Sequence, residues 1–361
     1  SSNISHGALQ GLIPDLVPEQ QRGRASGVKA VFELVPVFLV LFIGPLVDAG
    51  RVGLTVGIII GGFIITGLIT LLFVDEPPGA ALADAAEESL WPRILRLVIL
   101  TVIFVVVTWA AVRLVGATGD LVQSAGLRLP LQVFVVGLAG LIGMAGSILL
   151  GVYLGARVGI GAGANEHMGF VWWVVNRLLF LAAVGSIQGF AQYYLADVLQ
   201  IPNAATMTTM LLGAVAIFLM PAALGGGYLA DRVGRKRLVM LAGLIAAGGT
   251  VILLFAGSIP VVIISGCVIG LGTGLFMATN WALGTDLVPP EDAGRYLGIS
   301  NLAGAGAGIV GAGIGGPMAD FFNRLEPGLG YLVIFALYGV LFLLSAVTLV
   351  RVPERGGREA V

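Results

Sequence analysis

The sequence predicts an all-α protein that crosses a membrane many times, and three features carry this prediction. Of the 361 residues, 58% are hydrophobic and only 11% are charged, whereas an average soluble domain is roughly 25% charged. The apolar residues form runs near the ~20 residues that a helix needs to cross a bilayer. Glycine is abundant, with 55 residues, as expected where helices approach each other closely in lipid.

Ten apolar runs are long enough to span a membrane, and short linkers with turn-forming residues separate them. Residues 1–16 are predicted to be the end of a helix whose beginning is missing. The longest polar run, 74–92, holds five acidic residues and is predicted to be an exposed linker. The predicted spans are 25–47, 53–74, 93–115, 131–153, 169–195, 204–229, 238–257, 260–285, 296–319 and 330–350.

Lysine and arginine are distributed unevenly between the two sides that these spans define. Alternating the sides along the chain puts fourteen basic residues on one side and four on the other, with Arg177 inside a span. Cytoplasmic loops carry the excess of basic residues. The first side is therefore predicted to be cytoplasmic, and the clear split supports the number of spans.

A charged loop and the apolar helix after it occur twice. Residues 15–28 read DLVPEQQRGRASGV, and residues 286–299 read DLVPPEDAGRYLGI. After one inserted residue the match resumes, with GPLVD at 44–48 and GPMAD at 316–320. The chain therefore contains a parallel internal repeat.

The strongest local motif is GYLADRVGRKR at 227–237, in a predicted cytoplasmic loop. Asp231 lies at a helix end and can pair with basic residues across the loop. Gly234 permits a tight reversal of the chain. Arg235 and Lys236 can anchor the loop at anionic headgroups. The plain alternative is a basic loop that only fixes the topology.

This motif resembles the Gly-x-Leu-x-Asp-Arg-x-Gly-Arg-Lys signature of the major facilitator superfamily, and Arg232 takes its first arginine position. The resemblance implies that 25–47 and 53–74 are the fifth and sixth helices of that family. It makes 169–350 the seventh to twelfth helices. Helices 1 to 3 and most of helix 4 are expected to be missing. Spans 93–115 and 131–153 resemble the extra central pair of some members, with a peripheral packing role.

The resemblance divides the chain into two unequal halves around this pair. The expected parts are a partial N-terminal half at 1–74, a cytoplasmic linker at 75–92, the extra pair at 93–153, the C-terminal half at 154–351 and a cytoplasmic tail at 352–361.

A polar stripe on span 169–195 is the candidate wall of a substrate cavity. At about 100° per residue, Arg177, Gln188 and Gln192 fall within an arc of roughly 60°, with Trp173 on the same side. A charge inside a span is costly and suggests function by default. Snorkelling or structural pairing of Arg177 is the alternative. The seventh and tenth helices line the cavity in the family, and the tenth offers Thr273, Asn280 and Trp281.

A cytoplasmic gate is a second hypothesis. Glu33 and Arg177 lie at similar depth with opposite charge, so they can bridge the halves when that side closes. The alternative is that Glu33 is neutralised by Lys29, one helical turn away. The loop residues that the resemblance assigns to the same gate are Asp15, Arg24, Asp286 and Arg295.

The resemblance implies secondary active transport of a small solute by alternating access, driven by a proton or cation gradient without a cofactor. The loop at 12–23 resembles that of sugar–cation symporters, which favours sugar uptake. Proton-driven efflux of drugs or metabolites, and a non-transporting remnant, are the alternatives. Val40 stands where family antiporters often carry a glycine, which weakens the antiporter alternative.

Other classes of function find little support in the sequence. A net charge of −1 gives no electrostatic case for binding nucleic acid. No Walker sequence, paired acids at membrane depth or metal-ligand cluster indicates an enzyme. The expected partners are a small-molecule substrate and the lipid of the cell membrane, and the protein is expected to act as a monomer.

Overall fold

The structure is a computed structural model that describes residues 41–73, 90–288 and 293–353. Within these ranges the secondary structure is helical and contains no strand, as the sequence predicts. The described helices are α1 (41–48), α2 (Val52–Phe73), α3 (Leu90–Ser124), α4 (Leu129–Ile160), α5 (Met168–Asp197), α6 (Ala204–Val233), α7 (Arg235–Leu254), α8 (Ile259–Asp286), α9 (Ala293–Leu325) and α10 (Leu329–Thr348).

Eight of these helices, α2 to α8 and α10, are long and apolar enough to cross a membrane, as judged over the described ranges. They coincide with eight of the ten predicted spans. The predicted span 296–319 forms α9, a continuous helix of 33 residues. Of the predicted span 25–47, only the end, in α1, is described. Lys29, Glu33, Asp15 and Arg24 lie outside the described residues.

Helices α5 to α10 pack into one bundle, in which α8 lies between α6 and α7, and α10 packs against α5 and α7. Three aromatic rings meet at its centre. Phe180 of α5 stacks on Phe276 of α8, with ring centroids 3.7 Å apart. Phe342 of α10 meets Phe180 edge-on at 4.9 Å. Aromatic pairs of this kind stabilise a core beyond the burial of their area alone.

Glycines let α8 approach both of its neighbours closely. A Cβ on Gly274 would overlap the carbonyl oxygen of Leu219 in α6. A Cβ on Gly272 would come within 2.8 Å of the carbonyl oxygen of Ala242 in α7. Lipid gives no hydrophobic drive for helices to associate, so close van der Waals packing of this kind holds membrane helices together.

The hairpin of α3 and α4 packs along α9. The buried ring of Phe104 in α3 fills the space over two glycines, Gly151 of α4 and Gly306 of α9, where added Cβ atoms would lie 2.5 and 2.6 Å from the ring. Near the other end, Gly119 of α3 faces the ring of Phe321 in α9. The hairpin is thus joined to the bundle by rings that fit against glycine surfaces.

The signature loop between α6 and α7 is a single-residue reversal. Gly234 ends α6 and precedes α7 with φ +98°. Residues with a Cβ rarely adopt this conformation. The tight turn predicted at Gly234 is therefore what the structure contains.

Replacing Gly274 by alanine tests the close approach of α6 and α8. We expect a loss of about 1–3 kcal/mol in the free energy of unfolding, since the new methyl group meets backbone that cannot move aside. Gly248→Ala in α7 is the matched control because its added Cβ meets open space. Thermal unfolding in detergent measures both variants. Equal effects of the two would contradict the packing described here.

Candidate substrate site and gating contacts

One face of α5 is left open by the bundle, and it carries the predicted polar stripe. Arg177 and Leu181 are half-buried on this face, and Gly185, Gln188 and Gln192 are exposed. Their spacing of four, four, three and four residues keeps them on one side of the helix. We call this stripe the open face of α5. Gln188 and Gln192 thus present their amides away from the packed core.

Arg177 is held by two indole rings and one amide. Its Nη1 donates a hydrogen bond to Oδ1 of Asn280, 3.2 Å away. Its guanidinium carbon lies 4.8 Å from the ring centroid of Trp281 and 5.9 Å from that of Trp173. Its Nε is buried without a hydrogen-bond partner among the described residues. The charge is thus stabilised by cation–π contacts, and no described carboxylate forms an ion pair with it.

A chain of amides fixes the position of Asn280. Its Nδ2 donates to Oδ1 of Asn176, at 2.9 Å. Nδ2 of Asn176 in turn donates to the carbonyl oxygen of Ser345, at 2.8 Å, and to its hydroxyl, at 2.9 Å. Trp173 Nε1 donates to the backbone oxygen of Asn280, at 2.9 Å. Because each amide has one donor and one acceptor end, this chain turns Oδ1 of Asn280 toward Arg177.

Sequence reasoning did not select Asn176 or Ser345. Both are fully buried and do not belong to the polar stripe of α5. The available signal was a pair of polar residues in otherwise apolar spans, since a buried amide needs partners on neighbouring helices. The amide chain joins α5, α8 and α10.

The predicted cavity residues therefore fall into three places. Trp173, Arg177, Asn280 and Trp281 form one cluster. Gln188 and Gln192 lie farther along the open face of α5. Thr273 is buried, and its hydroxyl donates to the carbonyl oxygen of Ile269 in its own helix, at 2.8 Å.

The signature loop is tied to the second repeat by an ion pair. Nη1 of Arg235 lies 2.7 Å from both carboxylate oxygens of Asp286. Lys236 donates to the carbonyl oxygen of Val352, at 2.8 Å. The side chains of Asp231 and Arg295, the other predicted gate residues here, lie outside the described part. The guanidinium of Arg232 lies over the ring of Tyr228, at 4.5 Å.

Comparison with known proteins identifies the bundle. Residues 175–360 match the Major Facilitator Superfamily. The chain belongs to this family. The match covers half of the chain, including most of α5 and all of α6 to α10, and it agrees with the signature loop and the apolar helices. The protein is therefore an integral, multi-pass membrane protein of a transporter family.

Several relatives within this superfamily differ in what their names say they transport. The minor myo-inositol transporter IolF of Bacillus subtilis is 29% identical over 150 residues, 40% of this chain and 32% of the relative. The glucose transporter GlcP of Staphylococcus epidermidis is 30% identical over 139 residues, 38% and 30% of the two chains. The multidrug resistance protein MdtH of Salmonella arizonae is 27% identical over 200 residues, 54% and 49%. The matched part thus spans between 30% and 49% of the length of these relatives.

At the predicted outer side, the first Gly-Pro-x-x-Asp copy contacts α6. Asp48 accepts hydrogen bonds from the backbone N–H of Thr206, at 2.7 Å, from its hydroxyl, at 2.5 Å, and from the N–H of Ala205, at 3.3 Å. A carboxylate here satisfies the unpaired amides of the α6 N-terminus. A Cβ on Gly44 would lie 2.5 Å from Oγ1 of Thr209, so α1 meets α6 closely. We call these contacts the outer latch.

The outer latch also determines how Asp48 ionises. The hydrogen bond from the Thr206 hydroxyl, helped by the amides of Thr206 and Ala205, holds the pKa of the exposed Asp48 carboxylate below its ordinary value, although slight desolvation opposes this. The latch therefore contributes fully above the ordinary aspartate pKa, about 3.9, and is lost only as pH falls through the lower, folded value.

The outer latch predicts a cross-link. With Cys267 replaced by serine, we expect the double variant Asp48→Cys with Thr206→Cys to form a disulfide under mild oxidation, because these side chains touch. Asp320→Cys with Thr206→Cys is the control, since Asp320 is the equivalent position in the second repeat. Peptide mass spectrometry identifies the linked fragments. Failure of the first pair, or equal linkage of both, would contradict the contact.

Because the pKa of Asp48 is lowered, its carboxylate stays ionised at physiological pH, and the outer latch should not change with pH in that range. A cysteine at position 209, beside Gly44, should react with a water-soluble maleimide at equal rates at pH 5 and pH 8 after correction for thiol ionisation. Asp48→Ala should raise the rate equally at both values, and Asp320→Ala should leave it unchanged. Labelling that increases toward pH 5 only while Asp48 is present would show that its carboxylate titrates there.

Proposed function

We propose that this protein carries a small solute across the cell membrane by alternating access, and that a proton gradient drives uptake of a sugar-like substrate. Family membership supports the transport class. The observation that carries the proposal is the open face of α5, where Gln188 and Gln192 are exposed on a mostly apolar helix. A membrane-spanning helix places amides outside its bundle only at a cost, unless they face a polar path.

The chemistry of this face favours a hydroxylated solute. Glutamine amides both donate and accept hydrogen bonds, which matches the hydroxyl groups of a sugar. Small-molecule sites commonly combine aromatic walls with a few such groups. The names of two relatives, a myo-inositol transporter and a glucose transporter, support the same class.

The two polar contacts mark candidate gating regions on the two predicted sides, and of the two only the outer latch joins the expected N-terminal and C-terminal halves. The ion pair of Arg235 and Asp286 lies at the predicted cytoplasmic ends of α7 and α8. The outer latch of Asp48 and Thr206 lies at the predicted outer ends of α1 and α6. Alternating access requires that contacts on one side open while those on the other side close. The bridge between Glu33 and Arg177 stays a prediction, since Glu33 lies outside the described residues.

The coupling proton needs a carboxylate that titrates near neutral pH. Asp48 does not fit this role because its pKa is lowered. Glu33, which is the only acid predicted well inside a span, is the candidate that the sequence offers. The proton-coupled part of the proposal rests on this residue and on the family resemblance.

Efflux of a drug or metabolite is the second candidate. Its support is the similarity to the multidrug resistance protein MdtH over 200 residues. Proton antiport would reverse the direction of the solute without a change in the fold. Direction and substrate are therefore tested together.

Proteoliposomes under a pH jump decide between the two candidates. We expect sugars to evoke a current that depends on the proton gradient in the intact protein, and we expect Gln188→Ala and Gln192→Ala to weaken it several-fold. Gln123→Ala, an exposed glutamine on α3, is the matched control. Silence with every sugar, together with proton movement evoked by cationic drugs, would replace uptake by efflux.

A further inference from the structure

We infer that Arg177 forms an anion-binding subsite and that the transported solute carries a carboxylate or phosphate group. The inference rests on the proposed transport function and deepens it. It goes beyond the uncharged substrates that the names of the myo-inositol and glucose relatives state.

The first step is that the guanidinium of Arg177 has no negatively charged partner among the described residues. Arg177 lies nine residues after Met168, about 14 Å along α5 from its first residue at 1.5 Å per residue. A guanidinium has five N–H donors, and among the described residues only Asn280 accepts from one of them. A charge removed from water is strongly destabilising unless an opposite charge or several hydrogen bonds compensate it. The two indole rings compensate only in part.

The second step is that the bundle holds the guanidinium in place. The amide chain fixes Asn280, which accepts a hydrogen bond from Nη1 of Arg177, and the guanidinium carbon of Arg177 lies 4.8 Å from the ring centroid of Trp281. Both Asn280 and Asn176 are fully buried, so this support is rigid. A prearranged cation that lacks a counter-ion binds an anion without the cost of ordering its own side chain.

The third step is the position of the subsite on the open face. Arg177 and Gln188 are eleven residues apart, or about 16 Å along the helix. This exceeds the length of a monosaccharide, so the cation and the glutamines act on a solute at successive positions. Arg177 lies nearer the predicted cytoplasmic end. Carboxylates and phosphates match its planar fork better than any neutral hydroxyl does.

A binding experiment on the purified full chain tests the charge requirement. The probes are D-glucuronate, glucose 6-phosphate, inorganic phosphate and D-glucose, with thermal unfolding as the readout. We expect one or more of the anions to raise the unfolding temperature, and glucose to raise it less. Glucuronate and glucose share a ring, so their difference isolates the carboxylate. If only glucuronate raises the unfolding temperature, the bound group is a carboxylate. If only glucose 6-phosphate or inorganic phosphate raises it, the bound group is a phosphate.

Substitution of Arg177 tests whether it is the binding group. Arg177→Gln should weaken anion binding by about ten- to a hundredfold, as expected for the loss of a hydrogen bond to a charged group. Arg177→Lys should weaken it less because the charge remains. Arg113→Gln is the matched control, since Arg113 also lies over an indole, that of Trp109, but is exposed on α3. It should bind as the wild-type protein does.

A second pair of variants keeps Arg177 intact. Leu181 is half-buried one helical turn away on the open face, so Leu181→Glu supplies a carboxylate that can pair with Arg177. We expect this variant to lose the response to anions, and Leu181→Gln to retain it. Because Leu181→Gln changes the same position, loss of the response in Leu181→Glu alone is not explained by the loss of the leucine side chain.

Three outcomes would overturn the inference. They are equal effects of glucose and every anion, unchanged binding in Arg177→Gln, and anion binding that emerges only in Glu33→Gln, which would show that Arg177 serves the gate.

Transport is judged separately in proteoliposomes. Current with glucose alone would leave transport standing and remove the charge requirement. Absence of current with every solute, combined with anion binding that depends on Arg177, would remove transport and retain the subsite.

Discussion

A bilayer offers no hydrogen bonds to a polar side chain, and this constraint determines how the bundle is held together at Arg177. The amides of Asn176 and Asn280 have to find partners on neighbouring helices, because leaving them unpaired in hydrocarbon costs several kcal/mol each. They bond to each other, and Asn176 also donates to Ser345. Three helices are thereby fixed at one depth, and the arginine is placed as a result. Asp48 similarly supplies a protein acceptor for N–H groups at the start of α6.

The two ends of the molecule use carboxylates in different ways. Asp286 pairs with a charged guanidinium that is partly exposed, so the pair contributes little to stability and can separate easily. Asp48 instead accepts from backbone amides whose positions are set by a helix. A contact of the first kind responds to salt. A contact of the second kind depends on whether two helix ends meet, so it reports relative movement of the helices more directly.

The fold was largely predictable because its main signal is the length of apolar runs. The loop at Gly234 was predictable as well, since a reversal between two spans needs a positive φ. The stripe of Arg177, Gln188 and Gln192 followed from helical periodicity. Thr273 shows the limit of that reasoning, because periodicity does not reveal which face of a helix its neighbours cover. Asn176, Ser345 and the contact of Asp48 with Thr206 were missed, since each depends on pairing between helices that are distant in sequence.

Both helices of the α3–α4 hairpin are long and apolar enough to cross the membrane, which constrains the sidedness of the helices after it. Two crossings return the chain to the side from which it started, so the helices after the hairpin keep their original sidedness. A single inserted helix would invert α5 to α10 and place the basic signature loop on the wrong side of the membrane. The orientation of α5 to α10 is therefore kept only if the number of membrane-crossing helices at this point is even. Phe104 of α3 packs on Gly306 of α9, and Phe321 of α9 packs on Gly119 of α3, so each element supplies one ring and one glycine to the contact between the hairpin and α9.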